Sequence, residues 1–270
     1  AYLGDAKISN GQFDLARESY SVESLRLVEG KLNYDIIFQP QLKGLDYNHL
    51  ALSDIRLSVD SIFYCAPDAR LKIVECSMKE KSGIVLSSLT GGIALDSTKV
   101  SLPRMTLTTP DSNVEMECDM DLNAFDVKNP GKVYLRFFAE IGKQDVMRFA
   151  GDMPQQFIMR YPNHPISVRL SLNGNMNHAR ISAFDVSLPT AFKLNAEGYA
   201  VNPTDIKRMK AEMRLRGTTY NIGFLTALAP MPSNIRIPSG ISLAAHLKAD
   251  RQVYSANMRI AEGRGTVTAQ

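Results

Sequence analysis

The chain has 270 residues, 44% of them hydrophobic and 22% charged, with 17 Gly and 13 Pro. That is ordinary globular composition, which excludes disordered, collagen-like and low-complexity readings. Thirty-one basic residues against 28 acidic ones leave a net charge of +3, without the clustered excess of a dedicated nucleic-acid binder, so no nucleic-acid partner is expected. No apolar run of about 18 residues occurs, so no helix is expected to span a bilayer, and no signal peptide is read.

Taken in chain order, the segments read mostly as strands. Ile55–Asp60 alternates over a short stretch. The clearest segment follows at 114–122, where Val114, Met116, Cys118, Met120 and Leu122 fall on one face and Glu115, Glu117, Asp119 and Asp121 on the other. Period-2 alternation of this length predicts a half-buried strand. Asp145–Gly151 reads as a short helix, with Asp145 placed to cap it and Gly151 to end it. Ile166, Val168, Leu170 and Leu172 alternate with Ser167, Arg169 and Ser171, and Phe192–Ala196 is a shorter copy. The stretch 205–216 suits either period, with strand favoured from about Met209. Asn221–Leu228 reads as a second short helix opened by a capping Asn. Ile241, Leu243 and Leu247 then mark another alternating strand. Turn signals at 81–83, 90–92, 110–113, 129–131 and 173–175 separate these runs, at the spacing of an antiparallel meander.

Internal repetition sharpens the organisation. Both helical segments lead to Met-Pro, at Met153-Pro154 and Met231-Pro232, and each is followed by a Pro and an alternating strand, Pro165 before Ile166 and Pro238 before Ile241. Val127-Lys-Asn-Pro130 and Val201-Asn-Pro203 precede them in the same order. The ordered series predicts a degenerate repeat of roughly 75–85 residues. The expected organisation is a divergent β module over 1–125, a β repeat with a short helix over 126–200, and a truncated second copy over 201–270. The predicted fold class is all-β: an elongated antiparallel meander sheet curled into a β-taco-like groove, with a few short helices. The chain starts Ala1-Tyr2-Leu3-Gly4 and ends on strand-like Gly265-Thr-Val-Thr-Ala-Gln270, which reads as a segment of a longer protein.

Little in the chain points to catalysis. His49, His164, His178 and His246 are scattered, with no partner at metal-ligand spacing, and no nucleophile-elbow, zinc-protease or phosphate-loop motif occurs. No enzyme activity, metal or cofactor is expected. Loop or solvent-exposed positions are expected for the histidines, and a solvated strand face for the carboxylates at 115–121. The basic run Lys207, Arg208, Lys210, Arg214 and Arg216 reads as a soluble outer face, with contact to acidic headgroups as the other reading. Cys65, Cys76 and Cys118 read as small buried hydrophobes, a Cys65–Cys76 bridge across a hairpin staying open. The absence of Trp counts against a carbohydrate-stacking module. The Met-rich stripe fits either a dry core or a ligand groove.

Ser82-Gly-Ile-Val-Leu-Ser-Ser-Leu89, Gly91-Gly92 and Val100-Ser-Leu-Pro-Arg-Met-Thr-Leu-Thr-Thr-Pro-Asp-Ser112 resemble a recurring stretch of TamB proteins of the Bacteroidetes type, within the AsmA-like group. There a strand pair ends in a T-P-x-S turn, here Thr109-Pro110-Asp111-Ser112, before the next alternating strand. The resemblance is best over about 42–125 and continues as a style of repeat through 126–270. It implies a periplasmic segment of a protein anchored to the inner membrane by an N-terminal helix absent from this sequence. It also implies a hydrophobic β-groove for phospholipid acyl chains, in transfer between the inner and outer membranes and in outer-membrane biogenesis. An outer-membrane barrel partner would be met through parts of the translocation and assembly module not present here. Val114, Met116, Met120, Leu122, Ile166, Val168, Leu170, Leu172, Ile241, Leu243 and Leu247 are the lipid-groove candidates. The alternatives are an assembly scaffold that pairs with client β-strands, and a closed β-sandwich surface module.

Overall fold

The computed structural model describes residues 2–126, 128–151, 153–203, 205–228, 240–263 and 265–269. They form an all-β, antiparallel meander with short helices, open rather than closed, in two units. The first comprises Ala1–Leu122 with Gln144–Asp152, the second Asn123–Lys143 with Met153–Gln270.

In the first unit the strands are β1 (Asp5–Asp14), β2 (Ser19–Asp35), β3 (His49–Cys65), β4 (Asp68–Glu80), β5 (Val85–Leu86), β6 (Ser88–Leu95), β7 (Lys99–Thr108) and β8 (Asn113–Asp121). Each pairs antiparallel with the next in chain order, except that β6 joins β4 directly and β5 is a two-residue appendage on β4. In the second unit β9 (Val133–Ile141), β10 (Ile166–Gly174), β11 (His178–Leu188), β12 (Phe192–Val201), β13 (Lys210–Thr219), β14 (Ile241–Asp250), β15 (Val253–Glu262) and β16 (Gly265–Ala269) run as an uninterrupted meander. β12 and β13 pair over ten positions, so residues 126–200 and 201–270 share one sheet. β1 and β16 each have a single strand neighbour among the described strands.

Tight connections follow from local side-chain chemistry. Asp14 Oδ1 accepts from the N–H groups of Ala16 and Arg17, and Asn175 Oδ1 from those of Asn177 and His178. Asp96 does the same for Thr98 and Lys99 and also takes the Thr98 hydroxyl, which above all holds its carboxyl below the usual carboxylate range. These are Asx turns, in which the side chain stands in for a backbone acceptor. Thr90-Gly91-Gly92 is not a turn, contrary to the sequence reading, but lies inside β6. A Cβ on Gly91 would sit 2.4 Å from the Arg104 carbonyl oxygen, so the glycine serves close strand approach beside a bulge.

The helical segments depart from expectation in detail. α1 (Lys143–Ala150) forms where expected and ends at Gly151, whose φ of 63° suits a glycine after a helix. Asp145 does not cap it: the residue is inside the first turn, fully buried, and its carboxylate turns outward from the helix to Thr109 and Ser112. A second helix, α2 (Gln155–Arg160), follows directly after Met153-Pro154. The segment expected over Asn221–Leu228 is a tighter 3-10 helix, Gly223–Ala227, entered through an Asn221 side chain that accepts from the Gly223 N–H at 3.2 Å. The helical insertions thus follow β9 and β13, four strands apart. Met231-Pro232 and Pro238 lie outside the described residues, as does Val127.

Candidate functional site

Antiparallel pairing places directly opposed residues on the same face, so the register lists what each face presents. In the second unit one such row starts at Ala139 and passes through Val168, Val186 and Leu194. It continues through Gly217, Leu243 and Ile260 to Val267. Two residues along each strand, a second row runs Phe137, Leu170, Phe184 and Ala196, then Leu215, Ala245 and Met258. A third joins Leu135, Leu172 and Ile181 to Gly198, Met213 and Leu247. No polar residue interrupts any of the three. The intervening positions form the other face, where Glu140, Ser167, Ser187, Lys193, Thr218 and Ser242 stand in line.

The first unit follows the same rule. Ile8, Leu25, Val59 and Ile73 lead through Gly91 and Met105 to Met116. A parallel row runs from Phe13 through Tyr20, Tyr64, Ala69, Leu95 and Val100 to Met120. Val114 closes a third with Leu89 and Leu107.

These faces are not filled cores, although the small Ala139 and Ala196 and, in the first unit, Val59 are buried. Val168, Leu170, Leu172, Val114, Met116 and Met120 are all half-buried, whereas side chains of this kind in a dry interior have almost no exposure. Leu247 is 36% exposed and Ile260 41%. Near-complete burial of large side chains is found instead at the helical end of the second unit. There Phe157 and Tyr161 of the α2 segment and Phe224 of the 3-10 helix pack with ring centroids 5.4–5.6 Å apart, and Leu188 and Ala191 are buried.

Ten of the eleven expected groove residues lie in strands on an apolar face: Val114, Met116, Met120, Ile166, Val168, Leu170, Leu172, Ile241, Leu243 and Leu247. The eleventh, Leu122, falls just beyond β8, is 52% exposed, and donates its N–H to the Thr98 carbonyl. The rows recruit many residues that sequence reasoning missed, including Phe137, Phe184, Leu194, Leu215 and Ile260. Tyr134 and Phe138 place aromatic rings on the polar face of β9, which hides its alternation; Arg169 lies over the Phe138 ring at 6.0 Å.

The chemistry-bearing groups elsewhere are structural. Cys65, Cys76 and Cys118 are free thiols, and burial pushes Cys76 and Cys118 up, away from the reactive thiolate. His49 is buried, contrary to the sequence reading, because it locks the loop before β3. Its Nδ1 lies 2.9 Å from Asp46 Oδ2, and that carboxylate also accepts the N–H groups of Leu42 and Asn48. Among the described residues no group of three His, Cys, Asp or Glu is disposed to hold a metal, and no helix is long and apolar enough to cross a membrane. No family model, curated protein or solved structure matches the chain.

Proposed function

We propose that this chain is a non-enzymatic segment of a TamB/AsmA-like protein, whose apolar sheet faces shield phospholipid acyl chains in passage through the periplasm between inner and outer membranes. The observation that carries the reading is the set of cross-strand rows in the second unit that stay apolar over six to eight strands while most of their larger side chains remain half-buried. An uncovered surface of this extent marks a binding face in a protein at rest in water. Hydrocarbon laid along it recovers about 0.8 kcal/mol per buried methylene, and needs no hydrogen bonds from strands whose backbone groups are already paired. Most charged side chains of the second unit's strands lie on the opposite face, Glu262 opposite Ile241 at the end of β15 being an exception.

Photo-crosslinking from positions 170 and 120, with position 119 as outward control, tests the reading in protein that still melts cooperatively. Phospholipid adducts from 170 and 120 but not from 119 support it. Adducts to peptide rather than lipid would favour an assembly scaffold that pairs with client β-strands, and equal labelling from 119 would overturn the proposed face.

A further inference from the structure

We propose that the second unit holds a discrete subsite for the methyl end of one saturated hydrocarbon chain, built around Gly217. This rests on the acyl-chain reading above and gives one chain a fixed end point within it. Gly217 stands directly between Leu194 and Leu243 in its row. Nothing in the backbone calls for glycine there. Its φ is outside the left-handed region, and an added Cβ would meet Leu194 Cδ1 at 3.5 Å and Leu243 Cβ at 3.9 Å, which are ordinary contacts. Gly198, in the third row, is different, because a Cβ there would fall 2.2 Å from the Glu212 carbonyl oxygen. Close packing explains Gly198. What Gly217 supplies is space.

That space is a cavity of about 350 Å³ over the missing side chain, within the usual range of roughly 300–1,000 Å³ for small-ligand pockets. Leu194 and Leu243 flank it, Ile260 extends it across β15, Phe192 and Ile241 line the strand ends, and Leu225 of the 3-10 helix stands over that end. Lys193 and Thr218 also border it, but strand alternation aims their side chains at the opposite face. Thr219 is the one polar side chain of the lining that shares the apolar face, and its Oγ1 accepts the Ile241 N–H at 3.2 Å. A headgroup or a peptide strand entering here would therefore lose its water with only the Thr219 hydroxyl to replace it. A hydrocarbon terminus loses nothing. The cavity also continues the row that begins at Ala139, so a chain lying along the apolar face can run into it end first.

The experiment uses the purified chain and a long-chain saturated fatty acid carrying a diazirine, placed either at the methyl end or beside the carboxylate. After photolysis, adducts are mapped by peptide mass spectrometry. The methyl-end probe is expected to label Leu225, Leu243 or Ile260, and the carboxylate-end probe is not. Gly217→Leu should lower these adducts about tenfold, the loss expected when roughly two methylenes are expelled, while adducts near Leu170 persist. Gly217→Ala, whose Cβ fits without a clash, should lower them by about fourfold and keeps the test decisive if the larger substitution fails to fold. Pocket adducts unchanged in both variants, or equal labelling there by both probes, would overturn the subsite. Adducts along the rows with none at Leu225, Leu243 or Ile260 would overturn the subsite and leave the acyl-chain reading standing. No adducts anywhere would overturn both.

Discussion

Ser112 Oγ donates to Asp145 Oδ2 at 2.6 Å, tying the first turn of α1 to the turn that opens β8, 33 residues earlier. Thr109 donates to the same oxygen, and Arg148 reaches the other at 3.2 Å. Asp111 completes the dock by accepting the Gln144 N–H at 2.8 Å. The Thr-Pro-Asp-Ser turn is thus a socket for a helix start. A buried carboxylate with three donors is strongly coupled to its surroundings, because removing it leaves Thr109, Ser112 and Arg148, all part-buried, without their shared acceptor.

Asp145→Ala should therefore destabilise the first unit by about 3–5 kcal/mol. Asp111→Ala should cost no more than about 1 kcal/mol, since its single bond is exposed. Urea titration followed by hydrogen exchange at 109–112 and 143–150 checks both. Equal effects would show that the helix is held by something other than the Asp145 carboxylate.

The loop before β3 should be acid-sensitive. The Leu42 N–H above all, then His49 and the Asn48 N–H, hold the Asp46 carboxyl below the usual carboxylate range, against the upward pull of burial. A carboxyl depressed on folding contributes stability that is fully present above its unfolded value of about 3.9 and is lost as pH falls through the lower folded value. Limited proteolysis of 36–48 should stay constant from neutral pH down to about pH 4 and rise only below it. In Asp46→Asn the loop should be open at neutral pH already, with no further acid step. An acid step at the same place in that variant would assign the effect to another group.

The aromatic end of the second unit should carry a large share of its stability. Phe224 is 4% exposed and touches both Phe157 and Tyr161, so Phe224→Ala should cost about 3–5 kcal/mol. Chemical denaturation measures it. A loss below about 1 kcal/mol would mean the cluster collapses around the vacancy or is not formed in solution.

How much of this was legible in the sequence depended on whether apolar residues kept to one face. β8, β10 and β14 did so and stood out. β2 did not, and β3 did so only over Ile55–Asp60, because the pairing slips at Leu27, Gly30 and Leu32, and Asp54 and Ser61, on either side of that stretch, adopt positive φ within the strand. Each bulge shifts the phase of alternation by one and erases a period-2 signal. α2 was invisible for another reason: it is six residues long, has no side-chain cap, and is held by Phe157 against Phe224, 67 positions away. The same limit applies to the face itself. Alternation predicts which side is apolar, whereas whether anything covers that side depends on partners distant in sequence. Gly217 reads as a weak point in a strand until its neighbours Leu194 and Leu243 are known.

The openness of the apolar rows makes a prediction that separates them from a core. Leu188 is 1% exposed beneath the helical end, and Leu188→Ala should cost the roughly 2–5 kcal/mol of a buried leucine with its cavity. Leu170 sits between Phe137 and Phe184 on the same sheet but is only half-buried. Part of its surface is already in water, and no packed layer above it would be left with a void. Leu170→Ala should therefore cost only about 1 kcal/mol, while removing bound hydrocarbon should make the two losses no more alike. Adding a long-chain detergent below its micelle concentration should stabilise the unsubstituted chain by mass action, and Leu170→Asp should weaken that gain far more than Arg169→Ser on the opposite face. Denaturation curves with and without the detergent supply all four values. If Leu170→Ala costs as much as Leu188→Ala without ligand, the rows are covered by protein in solution and the exposed face does not exist.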